Sequence, residues 1–253
     1  MQPDQARLIP LLWAPRDRTS RTGLSIGAIT AAGVAIADRA GLGAVTMRAV
    51  ADELSVGTMS LYTHVPGKPE LIALMRDSVD HECYADGVLP ASFDGWQERL
   101  RHMARRNWES CLRHPWQLDI SPTVSSTLGP GVVGKYETEL GGVDGIGLDD
   151  VQMDMAVALV QSHASSSARW YLGVHGATGG AMTEDEWWES MQNEWQRVEP
   201  VLALAMNRND YPLASRVGAA SAQAYEGADA EALFRFGLDR IIDGLTALIE
   251  GGH

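Results

Sequence analysis

The chain has 253 residues, 45% of them apolar, and a formal net charge of −13. That length holds one large or two modest domains with a real core, and the composition is that of an ordinary globular protein. Two cysteines, Cys83 and Cys111, argue against a disulfide framework and for a reducing, cytoplasmic setting. No apolar run reaches the roughly 20 residues of a membrane helix, and Leu8–Ala14 is too short for a signal peptide, with its basic residues behind it rather than before it.

Residues 1–24, with Pro3, Pro10, Pro15 and Gly23, show no periodicity and are expected to form a loose, flexible arm. Ser25 then caps a helix whose Ile26, Ile29, Gly33, Ile36, Ala37 and Ala40 fall at helical spacing before Gly41 stops it. Thr46 caps a second helix with Met47, Val50, Ala51 and Leu54 at i, i+3, i+4 and i+7. It is about two turns long and has to pack on its neighbours to persist. Val56 sits in a turn, and Gly57 and Thr58 open a third helix with Leu61 and Val65 inward. Met59, Ser60, Tyr62, Thr63 and His64 are left on its outer face. Two short helices joined by a tight turn make a helix-turn-helix, whose second helix can enter a major groove. Pro66-Gly67 ends it, and Lys68-Pro69-Glu70 starts a longer helix through about Asp86, with proline in the first turn where no N–H partner is lost.

The segment AITAAGVAIADRAGLGAVTMRAVADELSVGTMSLYTHVPGKPELIALM resembles the N-terminal domain of the TetR family of bacterial transcriptional regulators. The spaced Val56, Leu61, Tyr62, His64, Val65 and Lys68 carry the likeness most specifically. LRHPWQLDISPTVSSTLGP and LFRFGLDRIIDGLTALIE are similar to the C-terminal domain of its tetracycline-repressor-like branch. Ser55 departs from the family's usual turn glycine and costs backbone energy if its φ is positive. The resemblance implies an all-α fold: an N-terminal three-helix helix-turn-helix DNA-binding domain (25–68), a connecting helix (69–86), and a larger helical ligand-binding and dimerisation domain (87–253). It also implies DNA-binding roles for Thr46, Arg48, Thr58, Met59, Ser60, Tyr62, Thr63, His64 and Lys68. Arg48 matches a position that reaches a base or a phosphate; Tyr62 and Lys68 match phosphate contacts. Arginine can fork onto a guanine edge, and a lysine at a helix start puts a cation beside free N–H groups. Each residue taken singly can equally be ordinary solvated surface.

Charge follows the same division. Lys/Arg and Asp/Glu balance over residues 1–80, so the whole excess of −13 lies in residues 81–253. An acidic body repels polyanions, which leaves any DNA contact to the first part. Arg16, Arg18 and Arg21 supply an arm over the DNA or an uninvolved tail.

Farther along, Trp96–Arg113 reads as a helix with Leu100, Met103, Ala104, Asn107, Trp108 and Cys111 on one side. His114-Pro115 breaks it, and a helix over Lys135–Leu140 follows a Pro/Gly-rich loop. Leu148–Leu172 is a long helix with small residues near its middle. The 173–182 stretch, GVHGATGGAM, lacks the Gly-Lys-Ser/Thr ending of a phosphate loop. EDEWWESMQNEW is an acidic amphipathic helix, and 230–249 closes the chain with a broad apolar face. The resemblance implies that this closing helix and the long one pair with their copies in a homodimer, through Ala156, Val160, Ala164, Leu238, Ile241, Ile242, Leu245 and Leu248; the same face can instead be buried within one subunit.

Seven of the eight tryptophans lie after residue 90. They fill the core or line a cavity for a small apolar or aromatic effector. The candidates are Asn107, Trp108, Cys111, Trp116, Gln161, His163, Trp188, Met191 and Trp195. No cofactor or metal is expected: His81-Glu82-Cys83 lacks the second histidine of the zinc pattern, and no cysteine has a partner at ligand spacing. The leading function is a ligand-responsive repressor that binds a palindromic operator. The alternative is a helical small-molecule-binding protein or enzyme without operator-specific DNA binding. Ser162 and His163 are sequence neighbours on different helix faces and form no dyad by themselves, so no catalytic residue is assigned.

Overall fold

The computed structural model describes residues 5–15, 24–120, 128–176, 184–206, 210–224 and 230–251. Among them are eleven α-helices and no strand. In chain order these are α1 (Gln5–Leu12), α2 (Ile26–Ala40), α3 (Met47–Glu53), α4 (Thr58–Tyr62), α5 (Lys68–Glu82), α6 (Trp96–Arg113), α7 (Pro130–Val143), α8 (Asp150–Gly176), α9 (Glu184–Ala205), α10 (Pro212–Ala224) and α11 (Ala230–Gly251). The chain divides into two compact units, residues 1–168 with 238–253, and residues 169–237.

The N-terminal head, α2 to α4, is built as its caps dictate. Ser25 Oγ accepts from the Ala28 N–H at 3.1 Å, and Thr46 Oγ1 accepts from the Ala49 N–H at 3.0 Å, so each helix begins on a filled donor. α3 ends in a Schellman motif: Val56 N–H donates to the Ala51 carbonyl at 2.9 Å and Ser55 N–H to that of Asp52 at 3.1 Å. That motif puts Ser55 at φ 54. A side chain in the left-handed region costs roughly 1–2 kcal/mol, offset by the two carbonyls it satisfies. Val45, Met47, Val50, Ala51, Leu61 and Val65 are buried in one cluster with Ile29 and Ile36 of α2 and Leu71, Leu74 and Met75 of α5.

The N-terminal arm is corrected in part. Residues 5–12 are helical despite Pro10, and Leu8 and Leu12, one turn apart, are fully buried in the head cluster. Proline removes one backbone bond from this short helix, and burying two leucines outweighs it at about 1.5–3 kcal/mol each. Arg16, Arg18 and Arg21 lie outside the described residues.

The division into units does not fall at the end of the connecting helix. α5 packs on α2 in the head and on α7 in the body. The approach to α7 is close: a Cβ on Gly131 would stand 1.8 Å from the Asp77 carbonyl oxygen, so only glycine fits there. Asp77 also accepts from the Val132 N–H at 2.9 Å, which binds the start of α7 to α5. α6 matches its expected limits, whereas α7 outruns the expected Lys135–Leu140 at both ends and α5 stops at Glu82. The second unit contains α9 and α10, with Trp195, Val198, Val201 and Leu204 exposed on α9 and Leu213 and Val217 on α10.

Candidate nucleic-acid interface and effector cavity

Leu61 and Val65 hold α4 to the head core, and its other faces point out. Met59 is 77% exposed; Tyr62 and Thr63 are exposed, while Thr58, Ser60 and His64 are half-buried. The Thr63 hydroxyl donates to the Ser60 carbonyl at 2.7 Å. Arg48 projects from α3, its nearest acid, Asp52, a loose 3.9 Å away with both side chains well exposed. Lys68 starts α5 and donates to the Leu42 carbonyl at 3.3 Å. This bond ties the ammonium to the head backbone and leaves donors for a phosphate. Thr46, Arg48, Thr58, Met59, Ser60, Tyr62, Thr63, His64 and Lys68 thus all fall between the cap of α3 and the first residue of α5.

A second polar assembly links head and body. The segment after α6 carries His114 and Trp116, and both converge on one oxygen of Asp38 in α2. His114 Nδ1 lies 2.8 Å away and Trp116 Nε1 2.7 Å. A carboxylate only accepts, so Nδ1 carries the imidazole proton. Trp116 is buried in the head cluster. It belongs to this junction and is not among the residues lining the two cavities described below.

The body contains a buried ionic cluster. Glu139 of α7 is 0% exposed. It accepts from Tyr84 Oη at 3.1 Å, from Asn107 Nδ2 at 2.7 Å, from Gln161 Nε2, and from Lys135 Nζ at 3.4 Å. Burial alone would depress the Lys135 ammonium, but Glu139 and Asp80 outweigh it and hold its pKa above the ordinary value. Burial and the Glu139 charge push the Tyr84 phenol well up. Arg76 forks onto Asp80 through Nε at 2.6 Å and Nη2 at 3.2 Å.

Two cavities border this cluster. One, of about 160 Å³, is lined by Arg76, Asp80, Val132, Lys135, Tyr136 and Gln161. The other, of about 70 Å³, shares Arg76, Asp80, Lys135 and Gln161 and adds Asn107, Ser110, Cys111, Gln117, Leu118 and Ser165. Of the residues named from the sequence, Asn107, Cys111 and Gln161 line the smaller cavity and Gln161 the larger as well. Trp108 is buried with the Arg105 guanidinium 5.5 Å from its ring centre. Trp108 and His163 are not among the residues lining either cavity, and Trp195 is exposed in the other unit. The side chains of Trp188 and Met191 lie outside the described residues. The expectation of an apolar or aromatic effector meets a charged and amide-rich lining.

Sequence reading missed Arg76, Asp80, Lys135 and Tyr136. The available signal was two opposite-charge pairs at i, i+4, Arg76–Asp80 and Lys135–Glu139, on helices whose other faces also had to be covered. Among the described residues no group of His, Cys, Asp and Glu is arranged to hold a metal ion, and no helix is long and apolar enough to cross a membrane.

On α8, Ala156, Val160 and Ala164 are buried within the single chain, while Val151 and Met155 are 62% and 63% exposed and Leu159 is exposed beside them. On α11, Leu238, Ile242 and Leu245 are buried, and Ile241 and Leu248 are half-buried. The small residues of α8 face inward, so its free apolar stripe is one position earlier than the sequence suggests.

Residues 89–249 match the model of the tetracyclin repressor-like C-terminal domain. Over 97% of this chain and 87% of the relative, the sequence is 34% identical to the HTH-type transcriptional repressor DrrR1 of Streptomyces coeruleorubidus. It is 24% identical to an HTH-type transcriptional regulator of Saccharopolyspora erythraea, covering 93% of this chain and 91% of that one. The fold is similar to that of the Streptomyces coelicolor TetR family protein ActR, crystallised in complex with actinorhodin, with a TM-score of 0.67 and 24% identity over 90% of this chain and 98% of ActR. The head geometry, the helical body and these likenesses agree, and the chain belongs to the TetR family of helix-turn-helix transcriptional regulators.

Proposed function

We propose that this protein is a cytoplasmic repressor that binds a two-fold operator as a homodimer and leaves it when a small molecule enters the body. The observation that carries the reading is α4, anchored by Leu61 and Val65 and presenting Met59, Tyr62 and Thr63 outward, with Arg48 and Lys68 beside it. Arg48 reads a base edge, and Tyr62 and Lys68 position the head on phosphates. The dimer forms through the outward stripe Val151, Met155 and Leu159 of α8 and the half-buried Ile241 and Leu248 of α11. A two-fold protein suits a two-fold site.

The effector sits beside Arg76, Asp80 and Gln161. α5 carries Arg76 near its middle, Asp80 in its last turn and Lys68 at its head end, so a tilt of this helix moves the reading surface directly. The Asp38–His114–Trp116 junction supplies a second connection. Recognition helices have to match grooves about 34 Å apart. Driving nearly all the protein from the bound to the released form takes a ligand preference of about 5.5 kcal/mol. The relatives are regulators, and the cluster around Glu139 is read as structural and ligand-binding rather than catalytic. Fluorescence anisotropy tests the reading: the protein should bind a selected operator far more tightly than a scrambled duplex at the same salt, and equal affinities would overturn it.

A further inference from the structure

We infer that the effector is a carboxylate, seated on the free edge of the Arg76 guanidinium with the Lys135 ammonium beside it. The inference rests on the proposal that this body binds an effector, and it specifies the chemistry of that site.

Both cavities are lined by Arg76, Lys135 and Asp80, which is two cations against one carboxylate. Glu139 lines neither cavity, but it stands 3.2 Å from Lys135 and balances it, so the four charges of the cluster sum to zero. Its oxygens are taken by Tyr84, Asn107, Gln161 and Lys135. Asp80 apart, the groups that face a ligand at the cavity wall are donors, while the carboxylate that balances Lys135 is sealed behind it.

Donor geometry points the same way. Asp80 occupies the Nε and Nη2 positions of Arg76. A guanidinium has five N–H donors in a fixed fork, so the Nη1 side remains for a second oxyanion. Arg76 lines both cavities, and its hydrogen bonds among the described residues are the two to Asp80. Arginine–carboxylate pairing through two parallel N–H bonds is the strongest match for such an edge. The amides and hydroxyls of Gln161, Asn107, Ser110, Gln117 and Ser165 around the smaller cavity serve polar groups elsewhere on the ligand. With both cations already paired, a singly charged carboxylate is accommodated better than a phosphate monoester, which carries about −1.5 to −2 at neutral pH. At about 160 Å³, the larger cavity is below the roughly 300–1,000 Å³ of pockets for drug-sized ligands. The effector is accordingly small.

Titration calorimetry on the DNA-free protein tests this with benzoate, its neutral isostere benzamide, and inorganic phosphate, each at millimolar concentration. Benzoate should bind at least about tenfold more tightly than benzamide, a difference of about 1.4 kcal/mol, and more tightly than phosphate. Because Arg76→Gln alone leaves Asp80 without its partner, the variant of choice is Arg76→Gln with Asp80→Asn, which removes the pair as a unit. It should fold, by its circular dichroism, and lose the benzoate preference. Benzamide binding as well as benzoate, phosphate binding more tightly, no binding of either anion, or an unchanged preference in the double variant would each overturn the assignment. Operator binding without ligand is measured separately, so the repressor reading can fail while this one stands, and the reverse.

Discussion

Removing the Glu139 carboxylate tests the body's architecture with a magnitude that follows from the structure. Glu139→Gln preserves shape but takes the charge opposite Lys135, whose Nζ stands 3.2 Å from Oε1, and gives the site an NH₂ group where Asn107 and Gln161 already donate. Losing one partner of a buried ion pair costs about 3–5 kcal/mol. Asp80 remains 3.9 Å from Lys135 and keeps the effect at the lower end. A loss of about 3 kcal/mol is a large share of the 5–15 kcal/mol that holds a typical domain. With an m-value of about 1–3 kcal/mol/M, the urea midpoint should fall by roughly 1–3 M at fixed protomer concentration. Adding Lys135→Met should restore much of the loss, because the orphaned ammonium is then gone. A midpoint shift below about 0.3 M with m unchanged would refute the view that Glu139 organises this core.

Tyr62→Ala and Lys68→Ala should each weaken binding to all duplexes and flatten the salt dependence, since phosphate contacts release counterions; Arg48→Ala should instead relax preference at one base position by about 1–3 kcal/mol, and anisotropy titrations against a base-substitution panel separate the two patterns. Met155→Asp, on an exposed site, should leave the fold intact but yield a monomer by sedimentation, whereas Ala156→Asp on the buried face should unfold the protein; a full-strength Met155→Asp dimer removes this stripe from the interface. Burial pushes the Cys83 thiol up to about 12 and raises that of Cys111 as well. Both thiols should react with Ellman's reagent slowly at pH 8 and promptly in guanidinium. A raised thiol pKa adds stability in full below the unfolded value of about 8.5, and that contribution should fade as pH climbs from there toward 12, which alkaline unfolding curves of Cys83→Ala against wild type would show.

The head was legible because its signals are local. Ser25, Gly41 and Thr46 mark helix ends through their own hydrogen bonds and dihedral angles, and the apolar spacing of α3 falls on one face. Where the reading failed, the deciding forces were not local. Pro10 hides α1, whose helicity rests on Leu8 and Leu12 docking into a core assembled from distant segments. α10, rich in alanine and serine, carries little periodicity and was passed over. Lys135–Glu139 and Arg76–Asp80 have the spacing of surface ion pairs, and only the packing of α5 against α7 buries them. Tryptophan abundance does not separate core from pocket: Trp116 is buried in the head cluster and Trp108 is buried beside Arg105. On α8 the small residues were recognised as a close-approach face, yet that face turned inward.

The most direct test is selection of bound fragments from random duplex DNA by the full-length, effector-free protein. The account predicts enrichment of an inverted repeat whose half-site centres lie about 10–10.5 base pairs, or a multiple of that, apart, with the dimer bound. Recovery of no common sequence, or of a single asymmetric site occupied by one protomer, would contradict it.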